Sequence, residues 1–166
     1  MKIAVYPGSF DPITYGHVDI LERSSGMFEN IIVAVVHHVG KRALFTLEER
    51  VEMIGAATRH IPNLQIESFR GLTTDFLREK EAHIIVRGLR SFTDYEYESQ
   101  IALYNKHLYP DSETIFILAN SNYTYLSSSG VKEAALLGGD VSTMVPPPVL
   151  AMLQEKLRQI GQEQII

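Results

Sequence analysis

The chain has 166 residues, 45% hydrophobic and 21% charged, with no cysteine and a formal net charge of −5, which suits one globular domain with a real core and excludes disorder as the main state. The missing cysteines exclude disulfide, thiolate-metal and thiol-nucleophile chemistry, and the acidic balance argues against a general nucleic-acid binder, which carries a basic surplus. No apolar run approaches the ~20 residues that span a bilayer, and Pro7 interrupts "MKIAVYPGSF" before a secretory core forms, so a cytoplasmic protein without membrane contact is expected.

Along the chain, "KIAVY" (Lys2 to Tyr6), "IIVAVV" (Ile31 to Val36), "LQIESF" (Leu64 to Phe69), "HIIVRG" (His83 to Gly88) and "TIFILA" (Thr114 to Ala119) are short, β-branched, nearly continuous apolar runs. They predict strands buried on both faces. Helical periods lie between them, with Val18, Leu21 and Phe28 in the first and Leu47, Val51, Ile54 and Ile61 in the second. Thr46 with Glu49, and Thr93 with Glu96, match the box in which a hydroxyl and a carboxylate satisfy reciprocal backbone donors at a helix start. Pro146 to Pro148 lead into Val149, Leu150, Leu153 and Leu157, a pattern for a terminal helix whose first turn tolerates proline. Strands alternating with helices call for an α/β fold: a parallel five-stranded sheet covered by helices on both faces, one domain over residues 1–166. Ligands of such sheets sit at the carboxyl ends of the strands.

The handovers from strand to helix are where the chemistry-bearing residues fall. The usual phosphate loops are absent: "VGKRAL" lacks the first glycine and the hydroxyl of a P-loop, and no G-x-G-x-x-G occurs. The first strand nevertheless ends in "PGSFDPITYGH", where Gly8 admits a phosphate close to the backbone and Ser9 supplies an amide and a hydroxyl. His17 would stand at a helix N-terminus, placed to donate to a phosphate oxygen, or Thr14 simply caps the helix with His17 solvated in its first turn. Lys41 follows the second strand and is either a surface charge or a phosphate ligand. His37 and His38 face opposite ways in an extended segment and have no acidic partner nearby in sequence, so no metal ligands are assigned.

Arg87 and Arg90 bracket the end of the fourth strand, their forked guanidiniums suited either to phosphate oxygens or to pairing with Asp94 or Glu96. Ser127, Ser128 and Ser129 open a helix and could cap it or meet a ligand. Thr73 stands where an N-cap for "TDFLREKE" is needed.

"TYGH" (Thr14 to His17) resembles the T-x-G-H element of the nucleotidylyltransferase superfamily. "YPGSFDPITYGH", "LFTLEERV", "IIVRGLRSFTDYEYE" and "LSSSGVKE", in that order and over most of the chain, are similar to the bacterial phosphopantetheine adenylyltransferases. The resemblance implies a Rossmann-like α/β nucleotide-binding domain. The activity it implies is transfer of the adenylyl group of ATP to 4'-phosphopantetheine, giving dephospho-CoA and pyrophosphate in coenzyme A biosynthesis. Mg2+, a homohexamer and feedback inhibition by CoA come with it as expectations.

Carried over residue by residue, it makes His17, Lys41 and Arg90 the catalytic groups. ATP would be bound by Ser9, Phe10, His17, Gly88, Leu89, Arg90 and Glu98, and by the run Tyr123, Thr124, Tyr125, Leu126, Ser127, Ser128 and Ser129. The acceptor would be bound by Ser9, Lys41, Thr73 and Arg87. This chain departs from the family's pattern at Ser9, where threonine is usual, in "HHVG" before Lys41, and at Gly130 after the serines. The same fold with another phosphorylated acceptor, nicotinamide mononucleotide or glycerol 3-phosphate, and a silent nucleotide sensor are the rival readings. Intact His17, Lys41 and Arg90 favour an enzyme.

Overall fold

The computed structural model of the chain describes residues 2–37 and 43–163. Each apolar run forms a strand within a residue or two of its predicted limits: β1 (Ile3–Gly8), β2 (Asn30–Val36), β3 (Leu64–Phe69), β4 (Ile84–Leu89) and β5 (Glu113–Leu118). The helices are α1 (Tyr15–Ser25), α2 (Leu47–Ala57), α3 (Thr73–Glu79), α4 (Phe92–Leu108), α5 (Ser128–Leu136) and α6 (Pro147–Glu163). All strand pairs are parallel, in the order β3-β2-β1-β4-β5. The chain therefore winds outward from β1 through β2 to β3, then returns to the other side of β1 with β4. The reversal leaves a crevice between the carboxyl ends of β1 and β4, the topological switch point where ligands of open α/β sheets bind.

Successive strand side chains point to opposite faces, and each face has its own apolar layer. On one, Ala4, Tyr6, Val33 and Val35 pack with Leu21 of α1, Ile54 of α2, Val131 of α5 and Leu153 of α6. On the other, Val5, Ile32, Ala34 and Ile85 pack with Phe76 and Leu77 of α3. Burial on both faces holds for the central strands and fails at the edges. Phe69 is the one buried residue of β3 and Ile117 the one of β5, while Ile115 and Leu118 are exposed. An edge strand has a neighbour on one side only, and α4 covers β5 incompletely: Glu98 is the sole buried residue of that helix.

Thr46 and Glu49 form the predicted box, with Thr46 Oγ1 accepting from the Glu49 N–H at 3.2 Å and Glu49 accepting from the Thr46 N–H at 2.8 Å. The box predicted at Thr93 and Glu96 does not form. Helix α4 starts earlier, capped by Ser91, whose hydroxyl accepts from the Asp94 N–H at 3.1 Å. Asp94 in turn accepts from the Arg90 N–H, which fixes the earlier start. Thr73 is likewise not a cap: Leu72 holds that position and Thr73 is the first helical residue. Phe28 and Ile61 lie beyond the helices whose periods they extend. No described helix is long and apolar enough to cross a membrane.

Candidate active site

Strand β1 runs into its loop at Gly8, and the next turn is tightly fixed. A Cβ on Gly8 would lie 2.9 Å from the ring of Phe10, so only glycine lets that ring fold back beneath the strand end. Phe10 itself has φ of +46°, a left-handed conformation costing a non-glycine residue on the order of 1–3 kcal/mol. Its buried ring holds it there, packed edge-on against Tyr6 at 5.4 Å and His17 at 5.2 Å. Asp11, also buried, accepts hydrogen bonds from the Leu44 and Phe45 N–H groups at 3.0 and 2.9 Å and from Lys132 Nζ at 2.6 Å. One carboxylate thus ties the loop after β1 to the segment before α2 and to α5.

His17 is the third residue of α1 and its ring closes the cap at Thr14. Nδ1 lies 3.0 Å from the Thr14 backbone N and 3.0 Å from Thr14 Oγ1. A backbone N–H can only donate, so Nδ1 accepts and the proton of the neutral ring sits on Nε2. Burial, with the Arg90 and Arg87 charges adding, pulls the ring down to about 4 from its ordinary 6.5. His17 is therefore a neutral imidazole at physiological pH, with one N–H held as a donor. The two alternatives drawn from sequence, a capped helix or a presented imidazole, are one arrangement: histidine takes the place of the glutamate in a capping box.

Across the switch point, Gly88 of β4 packs against α1; a Cβ there would meet Ile20 at 3.1 Å, so the glycine lets helix and strand approach. Arg87 pairs with Glu98, not with Glu96: its Nε donates to Glu98 Oε2 at 2.7 Å, Nη2 donates to Oε1, and Nη1 donates to the Pro7 carbonyl. Burial opposes the Arg87 charge, and the Glu98 hydrogen bonds outweigh it, raising the guanidinium above its ordinary range. Arg90 does pair with Asp94, at 3.0 Å from Nε and 3.3 Å from Nη2, and its Nη1 donates to the Leu126 carbonyl at 2.7 Å. A guanidinium carries five N–H groups, so each arginine is held by three and keeps two for a ligand. Burial also pushes the Tyr6 hydroxyl up to about 12, keeping it neutral between these groups.

One cleft is lined by Ser9, Phe10, His17, Arg87, Gly88 and Arg90 together with Glu98, Tyr123, Leu126, Ser127 and Ser128. The first turns of α1 and α5 both open into it, two sets of backbone donors with partial positive charge aimed at one space. Ser127 Oγ caps α5 by accepting from the Gly130 N–H at 3.0 Å, and Ser128 Oγ donates to the Pro12 carbonyl at 2.7 Å. Those hydroxyls thus have structural partners, and the donors α5 offers the cleft are its backbone amides.

Leu89 is buried in the strand between two cleft residues. Thr124, Tyr125 and Ser129 do not line the cleft; Ser129 belongs to a separate groove beside Leu44 and Leu136. Thr73 sits at the start of α3, off the cleft. Lys41 and His38 lie outside the described residues. Among the described residues no group of three or more histidine or carboxylate side chains could hold a metal ion. Sequence reading passed over Tyr6, Asp11 and Arg50. A buried arginine was signalled in α2, because Arg50 stands three residues after Leu47 and four before Ile54, on the apolar face.

Residues 5–134 match the family model described as cytidylyltransferase-like. Among relatives, the phosphopantetheine adenylyltransferase of Syntrophomonas wolfei is 55% identical over 97% of this chain and 100% of its own. That of Heliobacterium modesticaldum is 56% identical over 94% of this chain and 93% of its own. A crystal structure of a putative nicotinate-nucleotide adenylyltransferase from Vibrio parahaemolyticus superposes with a TM-score of 0.74 over 95% of both chains at 19% identity, a likeness of fold.

Proposed function

The chain belongs to the phosphopantetheine adenylyltransferases, within the cytidylyltransferase-like family, and from that premise we propose that its cleft transfers adenylate between two phosphorylated molecules held nose to tail. The reaction joins ATP to 4'-phosphopantetheine, giving dephospho-CoA and pyrophosphate in coenzyme A biosynthesis. A phosphate oxygen of the acceptor forms a bond to the α-phosphorus while the bond from that phosphorus to the bridging oxygen breaks, and pyrophosphate leaves with the electron pair. The attacking oxygen is already anionic, so no protein nucleophile or strong base is needed. What the protein supplies is alignment and donors for the charge-rich transition state.

The observation that carries this reading is the neutral, Nε2-protonated His17 facing two anchored arginines between two helix N-termini. His17 donates to the α-phosphate, and Arg90 with the first turn of α5 takes the nucleotide's phosphates. Ser9, Phe10, Gly88, Tyr123, Leu126, Ser127 and Ser128 border ATP, and Glu98 acts chiefly by holding Arg87. Arg87, Ser9, Lys41 and Thr73 serve the acceptor, Lys41 reaching between the two phosphates.

Mg2+ has no ligand set in the described side chains, and the two cleft carboxylates, Asp94 and Glu98, are engaged by arginines. The ion would arrive on the triphosphate, keeping its waters and neutralising phosphate charge. CoA contains the arm and adenylate of the product, which supports feedback inhibition at the same cleft. Kinship with enzymes of coenzyme A biosynthesis supports a cytoplasmic location. The exposed Phe92, Tyr97, Leu103 and Tyr104 of α4 support a homohexamer that covers this face. Light scattering should then give six chain masses at micromolar protein, and a monomer would refute the assembly.

Incubation with MgATP and 4'-phosphopantetheine should release pyrophosphate and form dephospho-CoA. Nicotinamide mononucleotide and glycerol 3-phosphate, offered in parallel, should stay unchanged. Turnover of either in preference to phosphopantetheine would move the activity to another acceptor, and calorimetric ATP binding without any turnover would leave a sensor.

A further inference from the structure

Helix α5 meets the loop after β1 at two points one turn apart. Lys132 Nζ donates to Asp11 Oδ2 at 2.6 Å, and Ser128 Oγ donates to the carbonyl of the next loop residue, Pro12, at 2.7 Å. Ser128 and Lys132 are four residues apart and so share one row of the helix surface. The helix's buried residues, Val131 and Ala135, form the neighbouring row and pack into the apolar layer. Apolar burial is non-directional, so two small side chains leave a nine-residue helix weakly fixed along its own axis. The polar row supplies the missing direction.

Asp11 is a firm fixture for this contact. It is 4% exposed, and its two oxygens also accept from the Leu44 and Phe45 N–H groups, so the carboxylate is held from a second side. Neither Asp11 nor Lys132 lines the cleft. Stability is a poor account of such a pair, since a largely buried ion pair can often be replaced by apolar side chains with no net loss. What the pair fixes is a distance. Asp11 and Pro12 belong to the loop that leads into Thr14, the cap of α1 whose backbone N–H holds His17, while Ser128 opens α5. The two helix N-termini that face the cleft are therefore referred to one loop. Arg90 follows α5 as well, because its Nη1 donates to the carbonyl of Leu126, the residue before the Ser127 cap.

We propose that Lys132 is a positioning residue for ATP: through Asp11 it sets the separation of the two helix N-termini, and so the span between His17 at the α-phosphate and the first turn of α5, with Arg90, at the outer phosphates. The inference rests on the reading of that turn and Arg90 as the site of the nucleotide's phosphates. Lys132 touches neither substrate, and its effect passes through the backbone of α5.

Calorimetry with MgATP and with AMP tests this, since AMP keeps the phosphate at His17 and lacks the two at α5. The wild-type protein should bind MgATP more tightly than AMP. Equal affinities would remove the outer-phosphate site and the inference with it, a result read before any variant is made. Lys132→Met, which keeps a long side chain of good helix propensity, should weaken MgATP binding about tenfold, the scale of one lost hydrogen bond to a charged group, and leave AMP within about twofold. Equal weakening of both ligands would make the pair a general support of the fold, and no change in either would make it idle; each result overturns the proposal. The sign of the charge separates position from electrostatics. Asp11→Asn removes a negative charge where Lys132→Met removes a positive one, yet both break the strut. Both should therefore weaken MgATP binding, and the double variant should lie within about twofold of the weaker single one. Tighter MgATP binding by Asp11→Asn, or losses that multiply in the double variant, would overturn the proposal. Thermal melting checks that Asp11→Asn folds. Should it not, the Lys132→Met deficit is measured again in 1 M salt, where charges are screened beyond about 3 Å. A deficit that persists supports the strut, and one that vanishes shows charge alone and sinks it.

Discussion

Replacing His17 by alanine should lower kcat about 10²- to 10³-fold, the usual effect of removing one donor aimed at a developing oxyanion, with the KM for ATP changed far less. The size follows from what the ring is. Thr14 donates its backbone N–H to Nδ1, which fixes the tautomer, and the cap geometry aims the ring without further cost during reaction. With its folded value near 4 instead of 6.5, the ring carries no charge above about pH 5. Because the folded value is depressed, the unfolded chain binds the extra proton first. The stability this neutral ring represents is complete above pH 6.5 and is lost as pH falls through 4. NMR titration of the free protein should therefore show His17 with a proton on Nε2 and no midpoint between pH 5 and 8. The acceptor's phosphate titrates near pH 6 by itself, so an inflection in the rate there should persist unchanged in His17→Ala. A His17 midpoint near 6.5, or an inflection that vanishes with the ring, would make it a general acid or base and overturn the donor mechanism. The fold should survive, with loss of one cap contact costing about 1 kcal/mol.

The His17 arrangement also indicates what sequence can carry. The strands were legible because β-branched apolar runs at the centre of a parallel sheet need no context, and β1, β2 and β4 are buried as expected. The handover positions were legible too, since Ser9, His17, Arg87 and Arg90 follow directly from strand ends, and the topology brings them to one cleft. What could not be read were partners set by tertiary geometry. Glu98 lies eleven residues from Arg87 and Asp11 lies over a hundred from Lys132; neither spacing has a local signature. The Thr93 box failed for the same reason, as a competing local bond from Arg90 to Asp94 moved the helix start. The serines divided between capping and tethering according to what faces them, which the run "SSS" does not encode.

Glu98→Ala should be the most destabilising single change in the cleft. Glu98 is nearly buried, and both of its oxygens accept from Arg87, itself only about a quarter exposed along its side chain. Truncation leaves the guanidinium with the Pro7 carbonyl as its remaining protein acceptor. Breaking a buried, hydrogen-bonded pair from one side costs about 2–5 kcal/mol. Partial access of water to Arg87 places this case at the low end, about 2–3 kcal/mol, which lowers Tm by about 4–12 °C in a domain of this size. Most of that loss is the penalty of an unpaired charge and not the net contribution of the pair. Arg87→Met in the Glu98→Ala background should accordingly recover part of the stability while leaving acceptor binding weak. The two readouts separate the roles: stability follows the balance of charge, and the KM for 4'-phosphopantetheine follows the guanidinium. A Glu98→Ala protein within 0.5 kcal/mol of wild type by denaturant melts, the range of ordinary surface changes, would mean that solvent already screens Arg87. The pair would then be a ligand-side contact and not a strut of the cleft.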